Sequence, residues 1–290
     1  MSLQNEIKSY FDRAVALVYD GPSVIHPIIT LNALKNIIGD NRKNPSQKLL
    51  DEMAKVVESY PERIDDQAVL DRVAKNGLGQ TVFISDLEDA CQNGNPLEME
   101  HEAAHLQWIS ENGLGVLEVL IEVALQDFDR LGTFSYHLQR ANAFNQEIKN
   151  TWTYTRCLLK EIVKSPLPEP HVKVEIDYKL KVSSKKNQVT ALASASRLWE
   201  GDYIRIKGIR RELSYWLSSI SVEMGTEKKI MNGLEDYVNN GGNFFIEMAE
   251  GLISNLNYEA KIIQLEALRY FVKNSIKSDL PVISKHLEAF

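Results

Sequence analysis

The residues best suited to chemistry in this sequence are two histidines four positions apart, His101 and His105, with Glu102 directly after the first. On a helix this spacing places both imidazoles on one side, where they can share a zinc ion. The glutamate can then polarise a metal-bound water as a general base. The next predicted helix offers a third ligand, because Glu118 and Glu122 are themselves spaced to face one neighbour.

The pattern HExxH at these positions resembles the signature of zincin metallopeptidases. The resemblance covers five residues of the chain, and it implies a zinc-dependent hydrolase with Glu102 as its catalytic residue. The local sequence places the motif on a helix, because Asn95 and Pro96 form a helix start signal a few residues upstream. Zinc is the cofactor that this hypothesis requires, and without it no cofactor is expected.

Two other interpretations of the same residues remain open. On a helical wheel His101 lies between Leu97, Ala104 and Trp108, so both histidines are candidates for partly buried side chains bonded to neighbouring carboxylates. Alternatively, Glu98, Glu102 and His105 could hold a metal between helices, since a glutamate three residues before a histidine is the spacing found in carboxylate-bridged di-iron bundles. That interpretation needs a second such pair on another helix, and the sequence contains none outside the helix that carries Glu98 and Glu102.

The segment from Val172 to Val182 is the one convincing strand signal, because apolar and charged residues alternate throughout it. A single strand cannot satisfy its own edges. It must lie as an extended arm on the helices, pair with another chain, or fold into a hairpin. We therefore expect an interface whose apolar face is formed by Val172, Val174, Ile176, Tyr178 and Leu180.

Elsewhere the apolar residues recur at three and four positions, which predicts a mainly α fold. Two unusually long stripes predict helices over Leu131–Val163 and Val189–Ile220, packed as an antiparallel coiled-coil hairpin. The expected architecture is an irregular helical bundle (residues 1–130), followed by this hairpin with a single β-strand insert (171–183) and C-terminal helices (to residue 290). The first stripe consists of Leu131, Phe134, Leu138, Ala141, Asn145, Ile148, Trp152, Thr155, Leu159 and Ile162.

Composition narrows the functional classes. The net charge of −7 disfavours general nucleic-acid binding, and no apolar run is long enough to span a membrane. The charged N-terminal residues do not form a signal peptide, so a cytoplasmic protein is expected. Residues 50–130 are strongly acidic and residues 171–229 are basic, so the two regions could attract each other. The function predicted first is protein–protein interaction or self-association into an oligomer, with the zinc hydrolase as the alternative.

Overall fold

The chain folds mainly into α-helices, as the periodicity predicts. The computed structural model describes residues 2–77, 81–110, 113–145, 151–223 and 225–290. The α-helices within these ranges are α1 (Leu3–Ala14), α2 (Pro27–Ile38), α3 (Gln47–Glu58), α4 (Asp66–Asn76), α5 (Ile84–Asn93), α6 (Pro96–Ile109), α7 (Leu114–Ala124), α8 (Phe128–Asn145), α9 (Thr151–Ile162), α10 (Val189–Glu200), α11 (Ile206–Ser219), α12 (Leu234–Asn240), α13 (Phe244–Leu252), α14 (Glu259–Asn274) and α15 (Leu280–Glu288).

Four of these helices enclose the centre of the core. Helix α2 packs against α8, α8 against α10, α10 against α14, and α14 against α2. Helix α2 is buried along most of its length because its sequence is apolar on nearly every side. Helices from both sides of residue 130 therefore contact each other. A second group of helices packs beside this ring and consists of α4, α5, α6, α7 and α9. Its α7 and α9 contact α8 of the ring.

Buried polar side chains bond between α2 and α8 and between α10 and α14. The side chain of Asn32 bonds to His137 at 2.8 Å, and burial lowers the pKa of His137 to about 3. Arg197 donates two hydrogen bonds to Glu266, and its guanidinium lies 4.2 Å from the ring centre of Tyr270. The buried charges of Arg197 and Glu266 are therefore paired, which is the condition under which charged groups are tolerated in a core.

The predicted helix Val189–Ile220 is wrong in one respect, because the chain forms two helices there, α10 and α11. Helix α10 ends at Glu200, and the backbone of the next residue, Gly201, is extended. A side chain at Gly201 would collide with the ring of Tyr203, since an added Cβ would lie 2.4 Å from that ring. The apolar spacing continues across the break because Tyr203, although outside both helices, is also buried.

The hairpin of two long helices is not confirmed. The first stripe lies on two helices, α8 and α9, and one stripe residue, Ile148, falls outside the described residues. Helix α8 does pack against α10, as the hairpin predicts. Helix α9 instead packs against α6 and α7, and α11 packs against α7. The two halves of each stripe thus contact different partners.

The single β-strand insert is not confirmed either. Residues 171–182 form no strand. The described part of the chain contains no sheet, and its one isolated β-bridge joins Leu17 to Glu62. The segment has neither helix nor turn, and it crosses α10 and α11 as an extended chain, which is the first of the three arrangements that the alternation allowed. We call residues 171–182 the arm.

Candidate functional site: the histidines of α6 and the arm

Helix α6 begins where the sequence predicts. The side chain of Asn95 accepts hydrogen bonds from the backbone N–H groups of Leu97 and Glu98, and Pro96 occupies the first turn. Its buried face packs against α4, α5 and α9. That face consists of Met99, Ala103, Ala104 and Leu106. The motif is therefore held on a rigid helix with one side against the core.

The three motif side chains lie together. Nδ1 of His101 is 3.0 Å from one carboxylate oxygen of Glu102, and Nδ1 of His105 is 3.7 Å from the other. The two imidazole centres are 4.1 Å apart. The side chains of His101, Glu102 and His105 are 44%, 19% and 16% exposed, so the cluster opens to solvent at His101. The glutamate thus lies against both histidines.

This cluster has the donor set of a metal site. In the described part of the chain it is the one group of three such residues whose ligand atoms lie within 4.8 Å of one another. Nε2 of His105 is buried and has no hydrogen-bond partner among the described residues. The arrangement brings together His101, Glu102 and His105. Because Glu102 lies against both histidines, its carboxylate is placed to act as a third metal ligand as readily as a general base.

Glu118 and Glu122, predicted as further ligands, have other partners. Glu118 accepts a hydrogen bond from the backbone N–H of Arg205, and Glu122 pairs with the side chains of Arg205 and Arg211. Helix α11 approaches Glu122 closely because Gly208 has no side chain, and an added Cβ there would meet that carboxylate. The acidic and basic regions of the sequence therefore attract each other within the chain, and neither glutamate joins the histidine group.

The outer face of α6 is more apolar than a solvent-facing helix normally is. Leu97 is 75% exposed, and Trp108 is exposed as well, although its indole N–H donates to the carbonyl of Leu70. The helical wheel placed both residues on a core stripe beside His101, and the structure places them outside. The histidines are therefore at the edge of the core rather than within it.

The arm is the second candidate site, and its side chains keep the alternation of a strand. The residues at even positions are partly or fully buried against the helices, with the exception of Val172, which is exposed. Those at odd positions point to solvent from Lys173 onwards. The inward residues are Val174, Ile176, Tyr178, Leu180 and Val182, and the outward residues are Lys173, Glu175, Asp177, Lys179 and Lys181.

Helix α11 anchors the beginning of the arm. Nδ1 of His171 lies 2.7 Å from the carboxylate of Glu212, and the backbone N–H of His171 donates to the same group. The imidazole also stacks on Tyr215, with ring centres 3.7 Å apart. Three residues further on, the N–H of Val174 donates to the hydroxyl of Ser214 at 3.0 Å. Since the Glu212 side chain is fully buried, this anchor is shielded from solvent.

The middle and the end of the arm are held as well. Tyr178 stacks on Trp199 of α10, with ring centres 4.9 Å apart. Val182 is buried, and the carbonyl of the next residue, Ser183, lies 2.8 Å from Nε2 of His286. The arm is therefore fixed at three points along its length and does not depend on pairing with a strand for its shape.

Most of the arm's main chain has no hydrogen-bond partner among the residues that the structure describes. Among the described residues, no main-chain to main-chain hydrogen bond involves residues 172–182. The N–H of Val174 is the one main-chain group of these residues that bonds to a side chain within the described ranges. Unpaired N–H and C=O groups along an extended segment are the groups to which a further strand binds.

The anchoring pair His171–Glu212 was not found from the sequence, because its members lie far apart in the chain. One signal was present. Glu212 falls between Ile209 and Trp216 on the apolar face of α11, and a carboxylate in that position needs a buried partner. The identity of that partner depends on the tertiary fold.

Comparison of the chain with models of known protein families, with curated proteins and with solved structures gives no match. No helix among the described residues is long and apolar enough to cross a membrane. The arguments for function therefore rest on the two sites themselves.

Proposed function

We propose that this protein is an assembly protein whose arm docks a strand from another polypeptide. The observation that supports this most directly is that, among the described residues, the main chain of residues 172–182 has no hydrogen-bond partner except at the N–H of Val174, in a segment that already has the alternation of a strand. In strand addition the main-chain hydrogen bonds supply affinity, and alternate side chains supply specificity. The arm offers both.

The anchors of the arm favour binding. A segment that is ordered before binding loses less conformational entropy when a partner docks. His171, Val174 and Tyr178 fix the arm on α10 and α11 through contacts that a new strand would not have to replace. The outward residues are charged, and such residues keep an exposed edge from aggregating while leaving its main chain accessible.

The direction of the N–H groups identifies the open edge. Successive residues of an extended chain present their N–H and C=O groups to opposite edges. The N–H of Val174 points to Ser214 of α11, so the groups of the odd-numbered residues point away from that edge. Lys179 is one of these odd positions, and its side chain is well exposed. Its N–H is therefore a donor that a docked strand would use.

The proposal is tested by selecting binders from a displayed library of random peptides on the full-length chain. We expect the selected peptides to alternate apolar and polar residues. Their affinity should fall roughly tenfold or more for Lys179→Pro, which removes the N–H and leaves the partner's carbonyl unpaired. Lys179→Ala is the matched control, because it removes the same side chain and keeps the donor. If no peptide binds, or if binding to the two variants is equal, the proposal fails.

A second candidate function is zinc-dependent hydrolysis at His101, Glu102 and His105. The observation that favours it is the convergence of their ligand atoms, together with the unpartnered Nε2 of His105. Two imidazoles with one carboxylate are a common ligand set for zinc. Glu118 accepts the backbone N–H of Arg205 and Glu122 pairs with arginine side chains, so both would have to leave those partners to act as further ligands.

This candidate is tested by elemental analysis of protein purified in metal-free buffers, combined with Glu102→Gln. A hydrolase would contain stoichiometric zinc and would lose turnover in the variant. If Glu102 is a base, the variant should still bind zinc, whereas a ligand role predicts loss of the metal. Wild-type protein without tightly bound zinc, or with hydrolysis unchanged in Glu102→Gln, would exclude this function.

A further inference from the structure

The outward charges of the arm follow an order that selects one pairing partner. From Glu175 onwards the outward residues are two acids followed by two bases, namely Glu175, Asp177, Lys179 and Lys181. Such a segment is complementary to itself when it runs in the opposite direction. Directly opposed residues of unlike charge stabilise antiparallel strands, and like charges destabilise them.

We propose that the docked strand is the arm of a second copy of this chain, paired antiparallel about a two-fold axis that places Tyr178 opposite Tyr178. In this register Glu175 faces Lys181 of the partner subunit, and Asp177 faces the partner's Lys179. The symmetry axis repeats both pairs, so every outward residue from 175 to 181 faces its opposite charge. This inference rests on the proposed strand-docking function and names its partner.

The same register also matches the inward face. Residues that are directly opposite in an antiparallel pair point to the same side of the sheet. Val174 therefore faces the partner's Val182, and Ile176 faces the partner's Leu180. The two apolar faces both remain directed towards the helices, so neither arm has to leave the surface that now holds it.

The neighbouring registers oppose like charges. With Asp177 opposite itself, the two aspartates face each other, and Lys173 faces the partner's Lys181. With Ile176 opposite itself, Glu175 faces the partner's Asp177. A shift by a single residue would place inward side chains opposite outward ones, which the burial of the even positions disfavours.

Larger shifts meet other obstacles. Towards the N-terminus the ladder would include Pro168 and Pro170, which have no N–H, and His171, whose N–H is already donated to Glu212. Towards the C-terminus, a register centred on Lys179 opposes that lysine to itself. Parallel pairing of identical arms in register would place each charge against its own copy.

The monomer contains weaker competing ion pairs on the same face. Lys173 pairs with Glu175, and Lys179 pairs with Asp177. All four side chains are more than half exposed, so these pairs hold their residues only weakly. A partner strand can therefore engage the same charges without breaking a buried interaction.

The inference is tested by measuring the dimerisation of the whole chain. Analytical ultracentrifugation over a range of protein concentrations gives the dissociation constant of the dimer. Wild-type protein is expected to dimerise reversibly. Glu175→Lys should weaken the dimer by roughly tenfold, because the introduced lysine faces the partner's Lys181. The symmetry axis repeats this repulsion once. Glu175→Lys combined with Lys181→Glu should restore dimerisation, since it exchanges the charges of one facing pair.

The matched control carries Glu175→Lys with Lys179→Glu, which has the same net charge as the restoring pair. It should leave dimerisation weak in the proposed register and would restore it if Asp177 faced itself. Circular dichroism should show that all of these surface variants fold. Restoration by Lys179→Glu instead of Lys181→Glu would overturn the proposed register.

The remaining outcomes separate this inference from the function on which it rests. A wild-type chain that stays monomeric, but binds selected peptides through the arm, would overturn self-pairing and leave strand docking intact. A wild-type dimer that is equally stable in Lys179→Pro and Lys179→Ala would show that the arm is not the interface, and both proposals would then fail.

Discussion

Two histidine–glutamate pairs among the described residues differ in what holds them. His101 and Glu102 are neighbours in sequence on one helix, 3.0 Å apart, and the histidine is 44% exposed. His171 and Glu212 come from different segments, lie 2.7 Å apart, and include a glutamate with no solvent exposure. The first pair could form in any helix with this sequence, whereas the second requires the tertiary fold. Substitutions near the second pair should therefore destabilise the protein more.

The largest difference is expected between the leucines beside the two pairs. Leu213 follows Glu212 and is fully buried, whereas Leu97 lies one helical turn before His101 on the exposed face of α6. Leu213→Ala should lower the free energy of unfolding by about 2–5 kcal/mol because it leaves a cavity. Leu97→Ala should change it by less than about 0.5 kcal/mol. Urea denaturation of both variants measures the difference, and equal effects would show that α6 is buried against something further.

The next largest effect should come from Glu212→Gln. The substitution keeps the shape and one oxygen acceptor for His171, but it removes the buried charge that His171 and Arg211 share. Loss of a charge-assisted hydrogen bond of this kind costs about 1–3 kcal/mol. Arg211 also pairs with Glu122, which limits the loss. The measurement is again urea denaturation, and amide exchange of His171 and Val174, whose N–H groups bond to α11, should rise in the variant. Unchanged exchange would mean that Glu212 does not anchor the arm.

The two pairs also show how far the sequence predicts the structure. Helix α6 and its cap were predicted because Asn95, Pro96 and the apolar spacing are all local signals. The break at Gly201 was missed because the spacing from Trp199 to Ile206 continues across it. The arm's alternation was recognised, but its contacts with α11 depend on residues distant in sequence. Periodicity identifies which face of a segment is buried, and it does not identify the segment that covers that face.

A third prediction concerns the stability of the folded protein in acid. Two histidines outside both pairs, His26 and His137, contribute to it and must be considered before a pH effect is assigned to either pair. Burial lowers the pKa of His26 and of His137 to about 3 in the folded protein. The unfolded chain takes up protons below about pH 6.5 and the folded chain does not. The unfolded state therefore binds more protons between these values, and stability falls as the pH falls.

Each of these histidines should contribute a loss of about 1 kcal/mol between pH 6 and pH 5. His26→Asn combined with His137→Gln should flatten this dependence. Asn can keep the N-terminal cap of α2, since His26 now accepts the N–H of Ile28 through Nδ1. Chemical denaturation at several pH values tests the prediction. A slope unchanged in the double variant would assign the acid sensitivity to other groups.

The smallest effect is expected for Glu102→Gln. Glu102 bonds to His101 and lies 3.7 Å from His105 on its own helix. Its side chain is 19% exposed, and that of His101 is close to half exposed. Partly exposed pairs of this kind contribute about 0.2–1 kcal/mol, because solvent screens them and the free side chains regain entropy. Without metal, the variant should therefore unfold within about 1 kcal/mol of the wild type, well below the loss in Glu212→Gln. If zinc binds the cluster, it should stabilise the wild type in proportion to the logarithm of its concentration. A loss as large as that of Glu212→Gln in metal-free buffer would mean that Glu102 holds α6 to the rest of the fold, and the contrast between the two pairs would then be wrong.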